Sequence, residues 1–177
     1  MKEMINVFDY AGEICKAMKK GILVTAKVGD KVNPMTIGWG TIGIEWGKPI
    51  FITFVRDSRY TNQMLDECGE FTVNIPYEKP VGKILGYCGS KSGRDCDKVK
   101  DLGLTLEEPV EISVPGIREL PLTLECKVLY KRDQVVRDIP ADLRDRYYPD
   151  EVSPSDNIRD FHTAFYGEIV SAYIIRD

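Results

Sequence analysis

A mainly β protein with peripheral helices, built as one small barrel, is the fold the sequence predicts, on three observations. Leu122, Leu124, Cys126, Val128 and Tyr130 alternate with Thr123, Glu125 and Lys127, the period of two that a strand with one buried face requires. Six or more segments of strand length recur, whereas helical periodicity is confined to short stretches. No internal repeat and no Pro/Ser-rich linker interrupts the 177 residues, so residues 1–177 are expected to form a single domain.

Taken in order, Tyr10, Ile14, Ala17 and Met18 fall at helical spacing with Gly21 behind them, which predicts an opening helix over about 9–19. Ile22 to Lys27 and Val32 to Ile44 read as two strands joined through the hairpin-type turn Gly29-Asp30. Pro49 to Val55 is nearly continuous in apolar residues, as in a strand buried on both faces. Thr61 is placed to cap a helix that turns Met64, Leu65 and Cys68 inward and stops at Gly69. Phe71, Val73 and Ile75 then alternate as a half-buried strand. Pro80 suits a first helical turn, with Val81, Ile84, Leu85 and Cys88 on one face and Gly89 as the stop. Residues 89–100 read as a glycine- and charge-rich loop, and 122–130 as a central barrel strand. Asp138 to Tyr148 offers a short proline-led helix, 147–157 looks irregular, and Phe165 to Ile175 is the closing strand, with His162 at its opening.

Composition narrows the function classes. A hydrophobic share of 43% with 29% charged residues supports a full-sized core, and a net charge of −4 argues against nucleic acid or an anionic membrane as main partner. Charges follow soon after Met1 and no run of ~18 apolar residues occurs, so neither a signal peptide nor a membrane span is expected. Cys15, Cys68, Cys88, Cys96 and Cys126 form no C-x-x-C pair, which predicts reduced thiols and a cytoplasmic protein. With His162 the only histidine, no metal site is expected. No G-x-G-x-x-G follows a strand, which excludes a Rossmann-type dinucleotide domain.

Two segments carry chemistry. Arg56-Asp57-Ser58-Arg59-Tyr60-Thr61 puts two guanidiniums, two hydroxyls and a helix start within six residues, the donor set a phosphate dianion requires. On residues alone, a pair of surface arginines bridged to Asp57 and Asp66 accounts for it equally well. In Asn33-Pro34-Met35-Thr36-Ile37-Gly38-Trp39-Gly40-Thr41, Gly38 and Gly40 bare one side of a strand, where a flat ring could approach.

These segments, followed by Glu70-Phe71-Thr72-Val73-Asn74, by the loop Ser92-Gly93-Arg94-Asp95-Cys96-Asp97-Lys98 and by His162-Thr163-Ala164-Phe165-Tyr166-Gly167-Glu168-Ile169-Val170, resemble in kind and order the flavin reductase-like, FMN-binding split-barrel family, closest to its flavoredoxin-like members. The resemblance covers the chain from about Lys20 onward. It implies a split β-barrel, FMN as cofactor, NADH or NADPH as a possible donor, and a homodimer with flavin sites at the subunit interface. It places Asn33, Met35, Thr36, Ile37, Gly38, Trp39 and Thr41 along the flavin, and Val55, Arg56, Ser58, Arg59 and Thr61 toward its phosphate. Lys91 and Ser92 become further donors, and His162 a catalytic residue on the substrate side, against a structural role for a lone histidine. For Trp39, a core or dimer-contact role stays nearly as well supported as flavin contact. Three functions share the scaffold: an NAD(P)H-dependent flavin oxidoreductase, an electron carrier reduced by a partner protein, and an FMN-binding module without turnover.

Overall fold

The computed structural model describes residues 1–77, 80–148 and 160–176. Along them run β1 (Lys2–Met4), α1 (Ala11–Met18), β2 (Ile22–Val28), β3 (Lys31–Ile37), β4 (Gly40–Glu45), β5 (Lys48–Arg56), α2 (Tyr60–Cys68) and β6 (Glu70–Ile75). Then follow α3 (Gly82–Ser90), α4 (Lys98–Leu102), β7 (Leu106–Glu107), β8 (Gly116–Ile117), β9 (Leu122–Asp133), α5 (Ala141–Tyr147) and β10 (His162–Ile175). The expected irregular stretch from Pro149 to Asn157 lies outside the described residues.

Gly38 and Trp39 decide the topology. The run Val32 to Ile44, expected as one strand, breaks there: β3 pairs with β2, and β4 pairs with β5. The main sheet has the order β3-β2-β6-β9-β10-β5-β4, so consecutive strands stand at its two ends. A two-residue link spans no more than about 10 Å, so the sheet must curl until its ends nearly meet. The result is a barrel whose seam lies at Gly38–Trp39. Gly40 is glycine because a Cβ there would lie 3.0 Å from the Ile52 carbonyl and 3.1 Å from the Met18 sulfur. The bareness of that position serves the protein's own packing.

β10 supplies the length that closes the barrel. Its first half, His162 to Glu168, pairs with β5, its last residues pair with β1, and β9 runs along nearly all of it. Register shifts at Tyr166/Gly167 and Ile169/Ser171 bend it so that one strand serves both curves. Phe51, Val55, Phe71, Leu124 and Phe165 fill the interior, with Ile14 and Met18 of α1 plugging one end. A smaller cluster of Leu23, Val81, Cys88, Leu104, Ile117 and Leu120 lies outside β2, which explains why Ile22 to Ala26 are buried without alternation.

Several boundaries differ from the expected ones. Pro49 to Val55 is not buried on both faces, because Ile52 and Phe54 are half-exposed. Thr61 does not cap α2; the cap position is Arg59, and the Thr61 hydroxyl is buried, accepting from Asn33 Nδ2 at 2.9 Å. α3 begins two residues after Pro80 and runs through Gly89 to Ser90, so Gly89 does not stop the helix. The 89–100 loop ends in α4, capped by Asp97. Among the described residues no helix is long and apolar enough to cross a membrane.

Candidate functional site

The seam opens into a cavity of about 670 Å³. β3 contributes Met35, Thr36 and Ile37, the seam itself Gly38 and Trp39, and β5 Phe54 and Arg56. The opposite wall is Tyr147 and His162, brought there by α5 and the start of β10. The Trp39 ring is edge-on to Tyr147 at 5.1 Å and tilted over the His162 ring at 4.9 Å, an aromatic enclosure suited to a flat ligand.

His162 faces Arg56 across the β5–β10 ladder and is buried. Its Nδ1 is 2.8 Å from the Tyr148 hydroxyl, which donates to Gln134 Oε1 at 2.6 Å, so the ring is held by one edge. Burial, reinforced by the Arg56 cation, lowers its pKa to about 4. The imidazole is therefore neutral at physiological pH.

The two arginines of the turn have different fates. Arg56 donates from Nη1 to the Asp160 carbonyl and from Nη2 to the Tyr147 carbonyl, both at 2.8 Å, with its guanidinium over the Tyr148 ring. One fork thus ties the end of α5 to the residues that lead into β10. Ser58 is also engaged: its amide and hydroxyl donate to the Asp160 carboxylate at 3.0 and 2.8 Å. An internal anion fills the part of the turn that the sequence offered to a phosphate. Arg59 instead donates to the Gly89 carbonyl at 2.6 Å and lies beside a second pocket.

That pocket, about 210 Å³, shares Met35, Ser58 and Arg59 with the larger cavity. Arg59, Lys91, Arg94 and Lys98 line it together with Ser92 and Thr61, and no carboxylate among the described residues does. Gly93 makes the convergence possible: a Cβ would stand 2.2 Å from Asn33 Oδ1, so only glycine lets the 91–94 loop lie against β3. Arg94 fixes the loop further, donating to the Ser58 carbonyl at 3.0 Å and covering the Tyr60 ring.

Of the expected site residues, Met35, Thr36, Ile37, Gly38, Trp39, Arg56, Ser58, Arg59 and His162 line the larger cavity, and Asn33, Thr61, Lys91 and Ser92 the smaller. The Thr36 hydroxyl donates to the Leu85 carbonyl at 2.7 Å, so it anchors α3. Two residues lie elsewhere. Val55 is fully buried in the barrel core, and Thr41 is exposed on β4, opposite Ile52. Sequence reasoning did not single out Tyr147, Tyr148, Asp160, Arg94 or Lys98 as site residues. For Lys98 a signal existed, since it closes the Ser-Gly loop motif; for Asp160 none did.

The profile of the flavin reductase like domain family matches residues 18–177. An uncharacterized protein of Archaeoglobus fulgidus is 31% identical over 127 residues, 72% of this chain and 67% of that protein. Among solved structures, flavoredoxin from Methanosarcina acetivorans superposes with a TM-score of 0.65 at 28% identity, covering 88% of this chain and 68% of that one. Flavoredoxin of Desulfovibrio vulgaris gives 0.66 at 24% identity, covering 88% and 69%, a likeness of fold.

Proposed function

The chain belongs to the flavin reductase-like domain family, and from that premise we propose that it is an FMN-binding oxidoreductase taking hydride from NADH or NADPH, working as a homodimer. One observation carries the reading: a broad, aromatic-walled cavity runs through Met35, Ser58 and Arg59 into a small pocket whose charged lining, among the described residues, is entirely cationic. A planar ring with a polyol tail ending in a phosphate has that outline and that charge. Bound FMN would supply the ring that accepts and passes on hydride or electrons.

The chain's own residues then divide the work. Arg59, Lys91 and Arg94 hold the phosphate, with the Ser92 hydroxyl as a further donor. Trp39, Phe54 and Tyr147 wall the ring and exclude water. His162, neutral and steadied by Tyr148, orients a donor by hydrogen bonding and stacking; it is not a charged acid. Arg56 is a positioning residue, since its fork keeps Tyr147 and Asp160 at the cavity.

The homodimer has support in the outer face of the barrel. Thr41, Ile52, Tyr166 and Tyr130 stand side by side across β4, β5, β10 and β9, and Trp46 packs edge-on to Tyr130. Trp46 is 58% exposed, Ile44 71% and Tyr130 45%, too much apolar surface for a wet face. A second copy seated there would also reach Phe54 at the cavity rim. Sedimentation is expected to show a dimer that Trp46→Glu dissociates. The five cysteines are unpaired, which fits a cytoplasmic compartment.

Calorimetric titration tests the cofactor: FMN is expected to bind at one per subunit and more tightly than riboflavin, and equal affinities would remove the phosphate end. Anaerobic stopped-flow mixing with NADH and NADPH tests the donor. The likeness to a flavoredoxin at 28% identity favours a second reading, an electron carrier reduced by another protein, which would show bleaching by that protein and none by nicotinamide. Inertness to both leaves a binding module.

A further inference from the structure

His162 is the only histidine of the chain, and the groups behind it decide which of its nitrogens carries the proton. A neutral imidazole has one N–H and one lone pair, and the hydrogen bond made by one nitrogen fixes the role of the other. Burial and then Arg56 keep this ring neutral at physiological pH. The Tyr148 hydroxyl lies 2.8 Å from its Nδ1 and 2.6 Å from Gln134 Oε1. Burial also raises the Tyr148 pKa, so the hydroxyl keeps its proton, and it has only one to give. A contact of 2.6 Å suits O–H···O and is shorter than the range for N–H···O, so that proton goes to the Gln134 oxygen. The phenol oxygen can then only accept from Nδ1. Gln134 is itself held in place, because its backbone N–H donates to the His162 carbonyl at 3.0 Å and continues the β9–β10 ladder.

We propose that Gln134 and Tyr148 are positioning residues that fix His162 in its Nδ1–H form, so that the ring offers the cavity a lone pair on Nε2, and that this acceptor selects an electron donor carrying an N–H group. Nε2 has no hydrogen-bond partner among the described residues and is not sealed from solvent, on a ring that lines the larger cavity. Its polarity is set by two successive bonds: the Gln134 oxygen takes the phenol proton, and the phenol oxygen takes the imidazole proton. The charged groups that face the ring do not compete for it. Arg56 gives its donors to the Asp160 and Tyr147 carbonyls, and the Asp160 carboxylate accepts from Ser58. The carboxamide of a reduced nicotinamide carries the N–H that an Nε2 acceptor requires, whereas a ketone in its place carries none. The selection rests on the nicotinamide reading above, and the assignment of the proton does not.

With a single histidine, nitrogen NMR of the histidine-labelled protein reads the proton's position directly. Wild type at neutral pH is expected to show a pyrrole-type Nδ1 and a pyridine-type Nε2, with no titration until the pH approaches 4. In Gln134→Met the phenol keeps Nδ1 as its acceptor and turns its proton there, so the imidazole proton moves to Nε2 and the two signals exchange character. Gln134→Glu, which retains an acceptor oxygen, should restore the wild-type pattern. Anaerobic flavin reduction by NADH and by its reduced acetylpyridine analogue, whose methyl ketone replaces the carboxamide, reads the selection. The saturation constants should favour NADH in wild type, and that preference should fall about tenfold in Gln134→Met, with limiting rates changed far less. Equal losses for the two donors would make Gln134 merely structural and overturn the selection. No reduction by either donor would refute the nicotinamide reading and the selection with it, while the proton assignment stands or falls by NMR. A wild-type imidazole protonated on Nε2, or wild-type ring signals in Gln134→Met, overturns the inference. Should Gln134→Met fail to fold, the wild-type spectrum decides alone.

Discussion

The two ends of the trough treat charge in opposite ways. At the aromatic end the buried charges answer one another from within: Asp160 accepts from Ser58 and stands 3.8 Å from Arg56, and His162 is kept neutral by burial. At the cationic end Arg59, Lys91, Arg94 and Lys98 meet without a carboxylate among the described residues. The Arg56–Asp160 pairing is complete in itself, whereas Arg59, Arg94 and Lys98 at the other end donate, among the described residues, only to backbone carbonyls, which leave their charge open to an anion. Local density of arginine is therefore a poor guide to where an anion goes; what matters is which cations the fold has left unanswered.

The widest gap between the ends should come from Gly93→Ala. Its Cβ would overlap the Asn33 carboxamide and lift the loop, removing Lys91, Ser92 and Arg94 from the pocket together. FMN affinity is expected to fall by more than about 3 kcal/mol with near-normal thermal stability. FMN binding unchanged in calorimetry would mean that the loop contributes nothing.

Acid should strike the aromatic end first. Because His162 is held at about 4 in the folded chain against an ordinary 6.5, the unfolded chain binds more protons between those values. Stability is then fully present above pH 6.5 and falls as pH drops toward 4, by up to about 3 kcal/mol from this group. Urea melts of wild type and His162→Gln across that window measure the difference, and identical slopes would deny the burial effect.

The arginines separate the ends within one turn. Arg59→Ala should weaken FMN binding by ~1.5–3 kcal/mol with the fold intact. Arg56→Ala should instead lower the melting temperature, because the Tyr147 and Asp160 carbonyls lose their donors, with a smaller effect on FMN. Equal binding losses would erase the distinction. The smallest effect is expected from Asp160→Asn, about 1 kcal/mol of stability, since the amide keeps one acceptor for Ser58. A large gain in FMN affinity there would place the phosphate at Ser58 after all.

Periodicity and glycine placement in the sequence determined much of this molecule: the central strand β9, the hairpin at Gly29-Asp30, the α5 helix behind Pro140, and the family-like order of motifs that marks the site segments. These are local properties, set by side-chain alternation and backbone freedom over a few residues. The seam was not legible, because a strand's pattern does not record which neighbour it pairs with, and β3 and β4 differ only in that. Nor was the sorting of the cations. Arg56 and Arg59 are equivalent in sequence, and only the arrival of Tyr147 and Asp160, 91 and 104 residues after Arg56, satisfies one and leaves the other at the pocket. Charge compensation is a long-range sum over whatever the fold brings within a few ångströms, so tertiary structure alone decides it.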